Sequence, residues 1–149
     1  VIKKLLLLGS LLVCGCASKN GFAAFVVNQD AQSAGSKPGK SYNAEPCSFV
    51  VEKSVFYTIL SGEPGQPSSL NLKVLYPKGT LSPQDFLGKT LEGSHGQVQL
   101  ETKEYELEKI TVTLQTLQGG MARGNFNARI KGQVPPWEVV GSFDARVKP

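Results

Sequence analysis

The stretch GNFNARIKG, Gly124 to Gly132, is followed seventeen positions later by GSFDARVKP, Gly141 to Pro149. The shared pattern is G-x-F-x-A-R-[I/V]-K. Phe126, Ala128 and Ile130 occupy even positions, and Phe143, Ala145 and Val147 occupy odd ones. Strict alternation of this kind is the mark of a strand with one dry face. Residues directly opposed on antiparallel strands share a face, so hairpin parity restricts the connections. Ile110, Val112 and Leu114 are also even, which requires an even sum across the first hairpin. A three-residue loop, Gln118-Gly119-Gly120, satisfies this and sets Val112 opposite Phe126. The second hairpin needs an odd sum. A four-residue loop, Gln133-Val134-Pro135-Pro136, supplies it and sets Phe126 opposite Phe143, with Lys131 meeting Glu138 on the wet face. On this reading the repeat serves packing.

The rest of the chain extends the β pattern. CSFVVEK, SVFYTILS and LNLKVLYP are rich in β-branched and aromatic residues and are separated by Gly/Pro breakers such as GEPGQPSS. In YELEKITVTLQTL the apolar phase changes from odd (Tyr105, Leu107) to even (Ile110, Val112, Leu114), which predicts a bulge near Glu108-Lys109. One helical turn is expected near 82–87, where Ser82 caps and Pro83 fits the first helical position. FAAFVV, Phe22 to Val27, reads as a strand inside a segment otherwise composed like a spacer. The predicted fold is all-β and antiparallel, a sandwich or flattened barrel of seven or eight strands.

The chain of 149 residues has 40% hydrophobic and 19% charged residues, a globular composition for one domain. Its net charge of +4 includes Lys3 and Lys4; without them 14 basic residues face 12 acidic ones. No Lys/Arg cluster interleaved with aromatics is present, which argues against nucleic acid as a partner.

The N-terminus, VIKKLLLLGSLLVCGCASKN, carries two lysines, an apolar run from Leu5 to Val13, and Cys14-Gly15-Cys16. The run is too short to span a bilayer, which takes about 20 residues, and fits the apolar region of a secretory signal. A buried apolar helix and a plain signal peptide are the alternatives. The ending resembles the lipobox of bacterial lipoproteins, in which a small residue precedes the cysteine that is acylated. The resemblance implies residues 1–15 as signal peptide, acyl chains on Cys16, 16–40 as lipidated cysteine and tether, and 41–149 as the β domain. It further implies a cell-envelope location and a membrane as partner. For a Gram-negative host, the resemblance to enterobacterial lipoprotein sorting implies the outer membrane, since Ala17 and Ser18 follow the cysteine without an aspartate. Each buried CH₂ contributes about 0.8 kcal/mol, so several chains hold a protein durably.

With Cys14 in the leader and Cys16 acylated, Cys47 has no disulfide partner within the mature chain and reads as a small buried hydrophobe. No Cys/His cluster suggests a metal site, and no cofactor motif is present. His95, in Gly93-Ser94-His95-Gly96, is the single histidine and reads as an exposed turn residue. Glu104, Glu106 and Glu108 alternate with Tyr105 and Leu107 as one wet strand face. Arg129 and Arg146, with Lys131 and Lys148, form either an anion-binding stripe or a solvated face, and the broken basic register favours the second. Trp137, after Pro135-Pro136, is the leading contact residue or packs over the sheet end. No catalytic constellation is recognisable. Two functions follow: an envelope-tethered binding or structural module, or a lipocalin-like carrier of a small apolar ligand. A filled interior favours the first and an open, dry cavity the second.

Overall fold

The structure is a computed structural model, described here for residues 20–29, 39–51, 56–62, 68–75, 83–93 and 95–148. Ten strands occur among these residues, two more than the upper expectation: β1 (Phe22–Asn28), β2 (Lys40–Ala44), β3 (Cys47–Val51), β4 (Phe56–Ser61), β5 (Ser68–Leu75), β6 (Thr90–Gly93), β7 (His95–Leu100), β8 (Lys103–Gln118), β9 (Met121–Ile130) and β10 (Trp137–Lys148). A 3₁₀ turn covers Pro83–Phe86, within the expected span. The strand expected at 22–27 is β1. It is the inner neighbour of β2 and pairs with β10, so the sheet takes in residues that composition assigns to the spacer.

The pairing closes a ring. Its order is β3-β4-β5-β7-β8-β9-β10, and β10 then pairs in parallel with β3 at Arg146↔Ser48, Val147↔Phe49 and Lys148↔Val50. All the other pairings among the described strands are antiparallel. Two long strands make the corners. β10 holds β1 along 138–144 and β3 along 146–148, while β8 holds β7 along 103–107 and β6 along 110–113. A strand that leaves one sheet and enters the other is how a flattened barrel turns its corner.

The β8–β9 hairpin departs from the expected loop in an instructive way. Gln118 pairs with Met121, so the turn has two residues, Gly119-Gly120, with φ of +58° and +74°. A tight turn of this twist needs positive φ at both positions, which glycine provides. The extra residue required by parity lies instead within β8, where the register shifts between Leu114 and Thr116. Val112 still opposes Phe126, as expected. The bulge foreseen near Glu108-Lys109 is present: the register shifts between Glu108 and Thr111, and Lys109 has φ of +50°. Leu107 and Ile110 are both buried as a result.

The β9–β10 register corrects the sequence reading more deeply. Trp137 pairs with Ile130, so the connection has six residues, 131–136, instead of four. The sum remains odd and the faces are as expected, with Phe126 and Phe143 both buried. However, Phe126 opposes Gly141 and Phe143 opposes Gly124. A Cβ on Gly124 would lie 2.8 Å from Phe143 Cζ. One on Gly141 would lie 2.8 Å from Phe126 Cζ and 2.6 Å from Phe25 Cβ. The repeated G-x-F is thus a reciprocal interlock in which each glycine leaves room for the other motif's ring. Phe25 reaches over Gly141 from β1 to meet Phe126 at 6.3 Å and stacks on Tyr42 at 5.5 Å. One row across five strands, Tyr42-Phe25-Gly141-Phe126-Val112, faces the interior. Phe49, Leu70, Leu72, Val74 and Val98 belong to the same buried cluster, and Phe86 enters it from the 3₁₀ turn with no exposed surface.

Candidate functional site

Alternation that fills the inside also decides what faces outward, and two of the surface depressions are lined by described residues on the strands. The larger, about 540 Å³, spans β5, β7 and β8. Asn71, Gln97 and Glu106 stand in one cross-strand row, and Lys73 and His95 in the next. Glu108 and Lys131 complete the wall. The Lys131 backbone N–H donates to the Glu106 carbonyl at 2.9 Å, and its ammonium donates to Glu106 Oε2 at 3.3 Å. This pair is exposed on both sides and contributes little to stability. Among the described residues, Lys73 and Glu108 have no ion-pair partner, and Asn71 Oδ1 is buried without a hydrogen bond. The groove therefore presents two ammonium groups, two carboxylates, an imidazole and side-chain amides within a few strand spacings. It is equipped to hydrogen-bond a polar partner. His95 opens a strand opposite Lys73 and does not sit in a turn, a correction to the sequence reading.

A second depression, about 430 Å³, lies over β2, β1, β10 and β9. Its outward rows are Ser41-Val26-Val140 and Asn43-Ala24-Ser142-Asn125, all uncharged. Charged rows border it, with Glu138 and Arg129 at one end and Asp144 and Arg123 at the other. Val140 is its exposed apolar side chain.

The residues singled out from sequence do not converge. Trp137 is half-buried and packs on Tyr105 with ring centres 5.8 Å apart, closing the sheet end. Arg129 faces Glu138, with 3.9 Å between charged atoms, where the expected register placed Val140. Lys131 meets Glu106 and not Glu138. Arg146 is exposed opposite Met121, and Arg123 pairs with Asp144 at 3.1 Å. Arg129 and Arg146 stand near opposite ends of the hairpin, so they make no single anion site. Cys47 is fully buried. Cys16 lies outside the described residues. Among the described residues no three His, Cys, Asp or Glu side chains are placed to hold a metal ion, and no helix is long and apolar enough to cross a membrane.

The groove was not legible from sequence because Lys73 on β5 and Lys131 after β9 reach the β7–β8 hairpin from distant parts of the chain. The available signal was the run Glu104, Glu106, Glu108 on one wet face; what stands beside that face depends on strand order. Comparison with protein-family models, with curated proteins and with solved structures gave no match.

Proposed function

We propose that this protein is a cell-envelope lipoprotein, held to the membrane through acyl chains on Cys16, whose β unit is a binding module with its site on the outer surface. The lipobox-like Val13-Cys14-Gly15-Cys16 supports the anchor. The observation that carries the module reading is the placement of polar and apolar groups. The interior is occupied by one cluster that includes Phe25, Phe49, Phe86, Phe126 and Phe143. A carrier of apolar ligands needs that volume. The groove of β5, β7 and β8 instead gathers charges and amides where a polar partner reaches them.

The test uses the full-length chain expressed in a Gram-negative host. Cys16→Ala is expected to leave the membrane fraction, and continued membrane association would remove the anchor. Envelope partners are then recovered by mild crosslinking from wild type and from a Lys73→Glu, Gln97→Ala variant. A partner recovered only by the wild type supports the groove. Undiminished recovery by the variant, or a stoichiometric lipid extracted from the folded protein, overturns it.

A further inference from the structure

We propose that the end of the barrel at the start of β1 rests against the lipid headgroups, so that the Trp137 end of β10 and the 131–136 connection face away from the membrane. This rests on acylation of Cys16. The fold grips the chain very soon after that cysteine. The carbonyl of Asn20 accepts the Cys47 backbone N–H at 3.1 Å, and Gly21 is buried with φ of +78° between the backbones of Asp144 and Cys47. A side chain at Gly21 would collide with both, so this entry point is fixed. Only Ala17, Ser18 and Lys19 separate Cys16 from Asn20. Four peptide steps of at most ~3.6 Å allow a leash of about 14 Å. That length is little more than a third of the span of β10, whose 12 residues extend about 37 Å, so the module cannot tumble freely above the bilayer.

The register shows what the leash brings down. Gly21 lies against Ala145, and two residues further along β10 the Val147 N–H donates to the Gly120 carbonyl at 2.8 Å. The exposed corner Glu45-Pro46, the Gly119-Gly120 turn, Gln118, Arg146 and Lys148 therefore surround the entry point. Arg123 is also exposed there, above its partner Asp144, which is buried. Among the described residues, the exposed cations Arg123, Arg146 and Lys148 stand near the entry point with Glu45 as an exposed acidic neighbour, a balance suited to anionic headgroups. Trp137 begins the other end of β10, eight residues from Ala145, or roughly 27 Å away. Lys131, Glu106 and the 131–136 connection lie at that far end.

The experiment places one fluorophore on the mature acylated protein, at Gln118→Cys or Val134→Cys. Both positions are exposed, and native Cys47 is buried and out of reach of the reagent. The protein is reconstituted in phosphatidylethanolamine/phosphatidylglycerol vesicles containing a headgroup spin-labelled lipid. Quenching several-fold stronger at 118 than at 134 is expected. Equal quenching, or stronger quenching at 134, overturns the orientation while leaving the anchor standing. Failure of wild-type protein to float with the vesicles would sink the anchor and the orientation together, and is read separately from the quenching ratio.

Discussion

Gly141→Ala adds one methyl group at the centre of the glycine–phenylalanine interlock, and its cost follows from the geometry. The new Cβ would meet the carbonyl oxygen of Ala24, stand 2.6 Å from Phe25 Cβ and stand 2.8 Å from Phe126 Cζ. Two of these three atoms are backbone or fixed to it, so a rotamer change cannot relieve them. Overpacking a close-fitted site costs about 1–3 kcal/mol, and this site belongs in the upper part of that range. Against it stands the entropy that alanine removes from the unfolded chain, about 0.4–1 kcal/mol in the stabilising direction. The steric cost wins, leaving a net loss of about 2 kcal/mol. At about 4 °C per kcal/mol for a unit of this size, the melting temperature falls by about 8 °C. Urea unfolding of the Cys16→Ala background followed by tryptophan fluorescence and far-ultraviolet circular dichroism gives the free energy. Adding Phe126→Leu removes the Cζ contact, so the double variant should be less destabilised than the two singles added together, by at least about 0.5 kcal/mol. Gly88→Ala is the contrast, because nothing lies within 4 Å of its Cβ and only left-handed strain of about 1 kcal/mol applies. A Gly141→Ala protein as stable as wild type would refute the interlock as the reason for the repeat.

Lys109 holds a left-handed conformation without being glycine, so Lys109→Gly should raise stability by about 1 kcal/mol and Lys109→Val should lower it, both measured by chemical denaturation. Phe86→Ala should cost about 3–5 kcal/mol although the residue sits on a single 3₁₀ turn, because its side chain is entirely buried. Leu87→Ala next to it, 40% exposed, should cost far less in the same assay. Glu106→Gln and Lys131→Gln should each remain within about 0.5 kcal/mol of wild type, since their pair is open to solvent. A larger loss would show that the groove wall is a structural support.

What alternation encodes is the face each residue takes, and here the sequence was a good guide. The all-β class, the bulge at Lys109, the 3₁₀ turn at Pro83–Phe86 and the burial of Phe126 and Phe143 all follow from periodicity and turn chemistry. Parity is blind to a slip of two residues. That is why Phe126 was set opposite Phe143 when its true partner is Gly141. The glycines of the motif were the missing clue, because a ring directly across from a ring leaves the neighbouring glycines nothing to accommodate. Closure through β10 and β3 is parallel and joins segments about a hundred residues apart, and no local pattern announces it. The groove inherits that difficulty, since Lys73, His95 and Lys131 meet only through strand order.

β10 touches β1, β3 and β9 at once, and β1 is the first of the described strands while β10 is the last. Assembly of the sheet must therefore wait until β1 and β10 have both been made and brought together. Pairing across so long an interval carries a large loop-closure entropy and slows folding. Until β10 docks, β1 and β3 present open backbone edges, which are prone to pair with neighbouring chains. A polypeptide built this way stays adhesive and protease-sensitive throughout synthesis, and its rate of folding should respond to any chaperone that shields those edges.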